Sequence, residues 1–125
     1  MSLDELPFEI THEIEDGVLI ADDTEWDGDT EYADIMEEDW TKKADRPDVK
    51  GAVTIFGDEI DLGRETQNHF AEYWGPKADQ SGIDRLAFVS DGIKARAVGA
   101  NIDTASTTVE IFNDVDEAIE WSRPE

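Results

Sequence analysis

The sequence predicts a single α/β domain: a mixed sheet of about five strands that opens with a β-hairpin and carries about four helices, packed mainly on one face. Residues 84–121 read as strand, helix, strand and helix, because two short apolar runs each precede a helical segment. Near the start, two runs of strand character flank Asp16-Gly17. A length of 125 residues suits one domain with a core of its own.

The first two strands follow from alternation. Apolar side chains at every second position from Phe8 to Ile14 predict a strand with one buried face, and His12 lies on that face. The pair Asp16-Gly17 favours a tight turn, and the apolar run 18–21 predicts the second strand.

Residues 22–29 form an acidic loop that raises two hypotheses. Alternate aspartates suggest a cation site, although the spacing of an EF-hand is not met, so a cation in this loop stays open. Asp22-Asp23 also resembles the acidic pair of a phospho-receiver domain. That family would need another helix and strand before its acceptor Asp and a Lys after its next-to-last strand, whereas no Lys stands beyond Lys94.

The middle of the chain predicts helix, strand and helix. Segment 30–44 has apolar residues three and four apart, and Pro47 disfavours its continuation. The apolar run 49–56 predicts a buried strand. Loop 57–63 then leads into a helix with aromatic residues on one face, which we expect to end at Gly75-Pro76.

The last third completes the sheet. Segment 85–89 predicts the fourth strand, Asp91-Gly92 a third helix, and segment 109–112 the fifth strand. Asp114, with Glu117 three residues later, resembles a capping box and predicts the start of the final helix.

The charge is unusual for a folded domain. There are 33 acidic and 10 basic residues, a net charge of -23, and the acids lie beside apolar runs along the whole chain. A densely carboxylated surface is typical of proteins from salt-accumulating cells, and we expect a halophilic archaeon as the source. The same charge argues against nucleic-acid binding and against anionic membrane surfaces.

Several classes of site and location are disfavoured. Without cysteine there is no disulfide, thiolate nucleophile or cysteine metal site, and we expect no metal or cofactor. Neither a signal peptide nor a membrane span is recognisable, so we expect a cytoplasmic protein. The two histidines, His12 and His69, are interpreted as structural or surface residues.

Two segments carry a resemblance to a known family. The strand Leu86-Ala87-Phe88-Val89 with its small and acidic turn, and the C-terminal strand and helix ending Glu117-Ala118-Ile119-Glu120-Trp121, resemble the SpoIIAA-like branch of the STAS superfamily (sulfate transporter and anti-sigma-factor antagonist). The resemblance covers most of the chain as element order and about a third as motif. It implies the STAS sheet topology.

The resemblance also implies a regulatory role. Antagonists of this superfamily bind a kinase and are switched by phosphorylation of a Ser within an Asp-Ser-x-Gly motif. Here Asp61 and Gly63 stand near the motif's Asp and Gly, but Leu62 takes the place of the Ser. The resemblance therefore implies a binding or regulatory module without the usual phospho-switch.

Three functions remain. The favoured one is a non-enzymatic module that docks a protein partner through loop 57–63 and the following helix start: Asp58, Glu59, Asp61, Gly63, Arg64 and Thr66. The alternative is a small-molecule or lipid-binding domain, because the branch resembles lipid carriers in fold; its aromatic pocket would comprise Tyr32, Met36, Trp40, Phe70 and Trp74. An enzyme, with Ser90 near His69, is disfavoured. We expect a monomer or weak homodimer.

The charge predicts salt-dependent folding. We expect the melting temperature to rise between dilute and molar KCl, because at molar salt the Debye length falls to about 3 Å and surface carboxylates repel little. Thermal unfolding followed by circular dichroism measures this. A melting temperature that is unchanged between the two conditions would refute the halophilic interpretation.

Overall fold

A computed structural model describes residues 6, 8–26, 33–57, 64–90, 104 and 106–123, with the backbone alone described at 33, 64, 66, 67, 70 and 71. One five-stranded sheet has its strands in sequence order: β1 Thr11–Glu15, β2 Val18–Asp23, β3 Gly51–Phe56, β4 Arg85–Val89 and β5 Thr108–Phe112. Strand β1 is antiparallel to β2, and the other neighbouring pairs are parallel. The predicted mixed sheet is confirmed.

The hairpin between β1 and β2 has the turn that its sequence predicts. Asp16 has φ 51° and Gly17 has φ 81°. Two consecutive positive φ values define a type I′ turn, whose twist matches that of the flanking strands.

Helices account for much of the remaining described chain. Helix α1 spans Ala33–Ala44, α4 spans Val115–Ser122, and a continuous helical stretch between β3 and β4 consists of α2 Arg64–His69, a π-helical turn Phe70–Trp74 and α3 Gly75–Gln80. The described residues thus hold three helical stretches where the sequence predicts about four. The helix predicted from Asp91-Gly92 lies outside the described residues.

The prediction that Gly75-Pro76 ends a helix is wrong. The helix continues through this pair, which forms the first turn of α3. Proline lacks an N–H and its ring clashes with the carbonyl four residues earlier, and the wider π-helical turn immediately before it interrupts that hydrogen-bond pattern without ending the helix. Packing favours continuation, since Ala78 is fully buried and Trp74 stacks on Phe56 with ring centroids 6.2 Å apart.

The sheet is covered on both sides. Neighbouring residues along a strand enter separate apolar clusters, such as Leu19 and Val18, or Ala52 and Val53. We name the side that carries Leu19 the first face; α1 and α3 pack on it, while α4 packs on the second face. The expectation that the helices lie mainly on one face therefore holds only in part.

Helix α4 is fixed at both ends. Its predicted cap is confirmed, because the Asp114 carboxylate accepts hydrogen bonds from the backbone N–H of Asp116 at 2.8 Å and of Glu117 at 3.3 Å. At its other end, the Arg85 guanidinium donates to the Trp121 carbonyl at 2.7 Å. There the helix lies so close to β3 that a Cβ on Gly51 would stand 1.9 Å from the Ser122 carbonyl oxygen.

The variant Gly51→Ala tests this close approach. We expect it to destabilise the fold by about 1–3 kcal/mol, since backbone on both sides must move to admit the methyl group. Chemical denaturation in molar KCl measures the loss, with Lys50→Ala at the exposed neighbouring position as the matched control. If both variants unfold at the wild-type denaturant concentration, α4 does not contact β3 as described.

Candidate functional site

A cavity lies on the first face of the sheet beneath α1 and α3, and we name it the central cavity. Its empty space, counted with its open mouth, is about 430 Å³, of which the centre of a water molecule can occupy about 30 Å³. That is room for about two ordered waters. Strands and helices contribute equally to its lining: His12, Ala21, Asp23, Thr54 and Leu86 from the strands, and Met36, Glu37, Trp40, Trp74 and Lys77 from the helices.

The register of three strands creates the floor of this cavity. His12 pairs with Ala21, and Ala21 with Thr54, so the three residues form one row across the sheet. With strands about 4.8 Å apart, the Cα atoms of His12 and Thr54 are separated by about 10 Å. Asp23 lies two residues beyond Ala21 on the same face, about 7 Å along the strand. The smallest side chain is therefore bordered by three polar ones.

His12 is held by α1. Its Nδ1 lies 2.7 Å from Asp39 Oδ2, and the Lys43 ammonium donates both to that oxygen and to the His12 carbonyl, each at 2.9 Å. Burial lowers the pKa of the His12 imidazole, and it outweighs the hydrogen bond and charge of Asp39, which act in the opposite direction. Burial also opposes ionisation of Asp39, but hydrogen bonds from Lys43 and His12 overcome it and lower the pKa of that carboxyl.

These contacts settle which atom of His12 can bind a ligand. A carboxylate only accepts hydrogen bonds, so a neutral His12 carries its proton on Nδ1, and this N–H donates a hydrogen bond to Asp39. Its Nε2 then keeps a lone pair and is an acceptor. The ring is only 2% exposed and lines the central cavity, so Nε2 is an acceptor in a largely dehydrated setting.

Asp23 is the unusual group of the cavity. The residue is 1% exposed, and its Oδ1 has no hydrogen-bond partner in the described part of the chain. Burial, with a smaller contribution from the neighbouring charge of Asp22, raises the pKa of the Asp23 carboxyl to about 8. A buried carboxyl without a partner is costly to a fold, and such groups concentrate at binding and catalytic sites.

Aromatic and sulfur side chains contribute to the wall. Of the predicted pocket residues, Met36, Trp40 and Trp74 line the cavity. Trp74 is held by stacking on Phe88, with ring centroids 6.3 Å apart, as well as on Phe56. Tyr32 lies outside the described residues, and only the backbone of Phe70 is described.

Most of the predicted docking segment lies outside the residues that the structure describes. Asp58, Glu59, Asp61 and Gly63 lie outside the described residues. Arg64 and Thr66 fall in α2, as predicted, with the backbone alone described. The protein-docking surface therefore stays a prediction.

The acidic loop 22–29 is described as far as Trp26. Asp22 accepts hydrogen bonds at its Oδ1 from the Thr24 N–H at 3.1 Å and the Thr24 hydroxyl at 2.7 Å, which makes a local turn. Among the described residues, no cluster of three or more His, Cys, Asp and Glu side chains is placed to hold a metal ion.

The two histidines reach α1 from different sides. His69 Nε2 hydrogen bonds to Glu37, and His12 to Asp39, two residues further along the helix. Positions two apart on a helix point about 200° from each other. Ser90 directly follows β4, and its backbone N–H donates to the Phe112 carbonyl at 3.2 Å. The hydrogen bond between His69 and Glu37 therefore joins α2 to α1.

Neither His12 nor Asp23 is among the site residues that the sequence predicts. The sequence places His12 on the buried face as a structural residue, and it places Asp23 within the acidic loop. A signal was present, because Leu19, Ala21 and Asp23 continue one alternation and so share a face. The length of β2 hid it, since the strand runs to Asp23 rather than ending at Ala21.

Neither a family model, nor a curated protein, nor a solved structure matches this chain significantly. The STAS resemblance accordingly stays a prediction. In the part of the chain that the structure describes, helices long and apolar enough to cross a membrane are absent.

Asp23 predicts an uncommon pH dependence. Its folded pKa of about 8 lies above the unfolded value of 3.8, so the folded state binds the extra proton between these limits. The contribution of this group to the free energy of unfolding is fully present below pH 3.8. It falls as the pH rises and is lost once the pH has passed 8. We expect Asp23→Asn, which cannot ionise, to lose less stability than wild type between pH 5 and 9, by roughly a few kcal/mol.

Denaturant unfolding in molar KCl across this pH range measures the difference. Asp22→Asn is the matched control, because it removes the adjacent carboxylate from the other face of β2 and keeps an Oδ1 for Thr24. Parallel pH profiles for wild type and Asp23→Asn would show that Asp23 is ionised in the folded state at neutral pH.

Proposed function

We propose that this chain is a non-enzymatic binding domain that holds a small molecule in the central cavity. The observation that carries the proposal is the buried Asp23 carboxyl, whose Oδ1 lacks a partner within the described residues and which lines a cavity with an open mouth. A domain that served only as a scaffold would gain stability from an apolar residue there. A ligand that satisfies this group supplies a reason for its presence.

The shape of the wall supports binding. Ala21, Met36 and Leu86 provide an apolar lining, and Trp40 and Trp74 add large rigid surfaces. His12, Asp23 and Thr54 are grouped at the floor. Small-molecule sites commonly combine an apolar wall with a few such polar groups that fix the orientation of the ligand.

Binding is favoured over catalysis by the spacing of the polar groups. A hydrolase needs a nucleophile within hydrogen-bond reach of its base, about 2.6–3.2 Å. Thr54 is the hydroxyl of the floor, and it stands two strands away from His12, with Ala21 between them. The arrangement therefore favours holding a molecule rather than attacking one.

Protein docking through loop 57–63 and the start of α2 is compatible with this role. A regulatory module can bind a partner on one surface and a small molecule beneath it, and the high net negative charge suits work in a high-salt cytoplasm.

Filling the floor of the cavity tests the proposal. We expect Ala21→Leu to weaken the binding of small-molecule fragments at least tenfold, since the larger side chain occupies the space above β2. Ligand-observed NMR in molar KCl measures binding, and circular dichroism confirms that the variant is folded.

Ile20→Leu is the matched control, because it lies on the same strand but packs on the second face. It should bind the same fragments within twofold of wild type. Fragments that bind Ala21→Leu as well as they bind wild type, or a folded wild type that binds none, would refute the cavity as the binding site.

A further inference from the structure

We infer that the central cavity recognises a primary ammonium group, so that the ligand is a small organic cation with an apolar body. This inference rests on the proposed function and adds the chemical class of the ligand. It follows from the kinds of polar atom that His12, Asp23 and Thr54 present around Ala21.

Each group on the floor can accept a hydrogen bond. His12 Nε2 has a lone pair because Nδ1 bonds to Asp39. The Asp23 carboxylate and the Thr54 hydroxyl are acceptors as well. A primary ammonium group carries three N–H donors and no acceptor, which matches three acceptors around one small side chain.

The size of the floor suits such a head group. His12 and Thr54 stand on either side of Ala21 in one row, and Asp23 is two residues further along β2. The Cα atoms of these residues are about 7–10 Å apart, so we expect one central nitrogen to reach each acceptor at about 2.8 Å. The free volume, about 30 Å³ for the centre of a water molecule, agrees with a head group of that size.

Charge favours a cation over a neutral or anionic ligand. The chain carries a net charge of -23, and the Oδ1 of the buried Asp23 carboxyl has no hydrogen-bond partner among the described residues. Trp40 and Trp74 line the wall, and the faces of indole rings attract ammonium groups. A metal ion is the weaker candidate, because the described residues offer no cluster of three ligands.

Other titratable groups line the cavity together with Asp23. They are His12 from β1, Glu37 from α1 and Lys77 from α3, while Asp22 adjoins Asp23 in β2. Glu37 hydrogen bonds to His69. Lys77 opposes a cation, but it also lines a second, polar groove together with Asp34, Glu38 and Asp45 of the α1 region.

Binding of an ammonium group then displaces the proton of Asp23. The ligand stabilises the carboxylate that burial alone disfavours, so affinity should rise with pH up to the region of 8 and level off above it. Below that region one proton leaves for each cation bound, which corresponds to about a tenfold gain in affinity per pH unit.

The test uses three probes of equal chain length: n-propylammonium, 1-propanol and propionate. Ligand-observed NMR with the full chain in molar KCl gives their affinities between pH 6 and 9. We expect saturable binding of n-propylammonium, at least tenfold tighter than that of 1-propanol, with the stated rise in affinity with pH and no binding of propionate.

Two variants separate the explanations. Asp23→Asn should weaken n-propylammonium at least tenfold and abolish the pH dependence, whereas Asp22→Asn should change both little. If Asp23→Asn does not fold, the comparison of n-propylammonium with 1-propanol on wild type still decides the matter.

The outcomes distinguish this inference from the proposed function. Equal affinity for n-propylammonium and 1-propanol, with both lost in Ala21→Leu, would overturn the cationic ligand and leave the cavity as a binding site. Cation binding that survives Asp23→Asn, or that Asp22→Asn weakens as much, would also overturn it. If a folded wild type binds none of the probes or fragments, both proposals fail.

Discussion

Burial of the central strands on both faces is the constraint on which the rest of this structure depends. In β2 and β3 most residues are buried, because α1 and α3 cover one side of the sheet and α4 covers the other. A polar side chain on the first face of these strands, such as Asp23 or Thr54, is thereby removed from water. Asp23 and Thr54 on these strands, with His12 on β1, are three of the buried polar residues, and all three line the central cavity.

His12 and Asp23 are not equivalent, because hydrogen bonds compensate the burial of His12 but not that of Asp23 Oδ1 within the described residues. His12 is fixed by Asp39, which is fixed in turn by Lys43, so its burial is balanced by a chain of hydrogen bonds that also ties β1 to α1. Asp23 has no such support at Oδ1 in the described residues. Such an imbalance within one cavity is what a binding site requires, because a ligand adds most free energy where the protein leaves a group unsatisfied.

The surface and the cavity use carboxylates in opposite ways. Outside, hydrated acidic groups give the chain its charge of -23 and suit concentrated salt, where screening limits their repulsion. Inside, burial raises the pKa of Asp23 to about 8, so that this carboxyl is protonated and uncharged at neutral pH. An acidic composition by itself conceals this difference, because 33 acidic residues make any one of them unremarkable in the sequence.

The sequence by itself determined the α/β class, the hairpin with its Asp16-Gly17 turn, the start of the last helix at Asp114, and the aromatic residues of the wall. These features depend on local patterns of one element, such as alternation, turn preference and capping. The tertiary structure decided that the helix continues past Pro76 and that Asp23 joins His12 and Thr54 around Ala21. Those outcomes depend on the register between strands and on packing between elements distant in the chain. The sequence pattern of a single segment predicts neither of these.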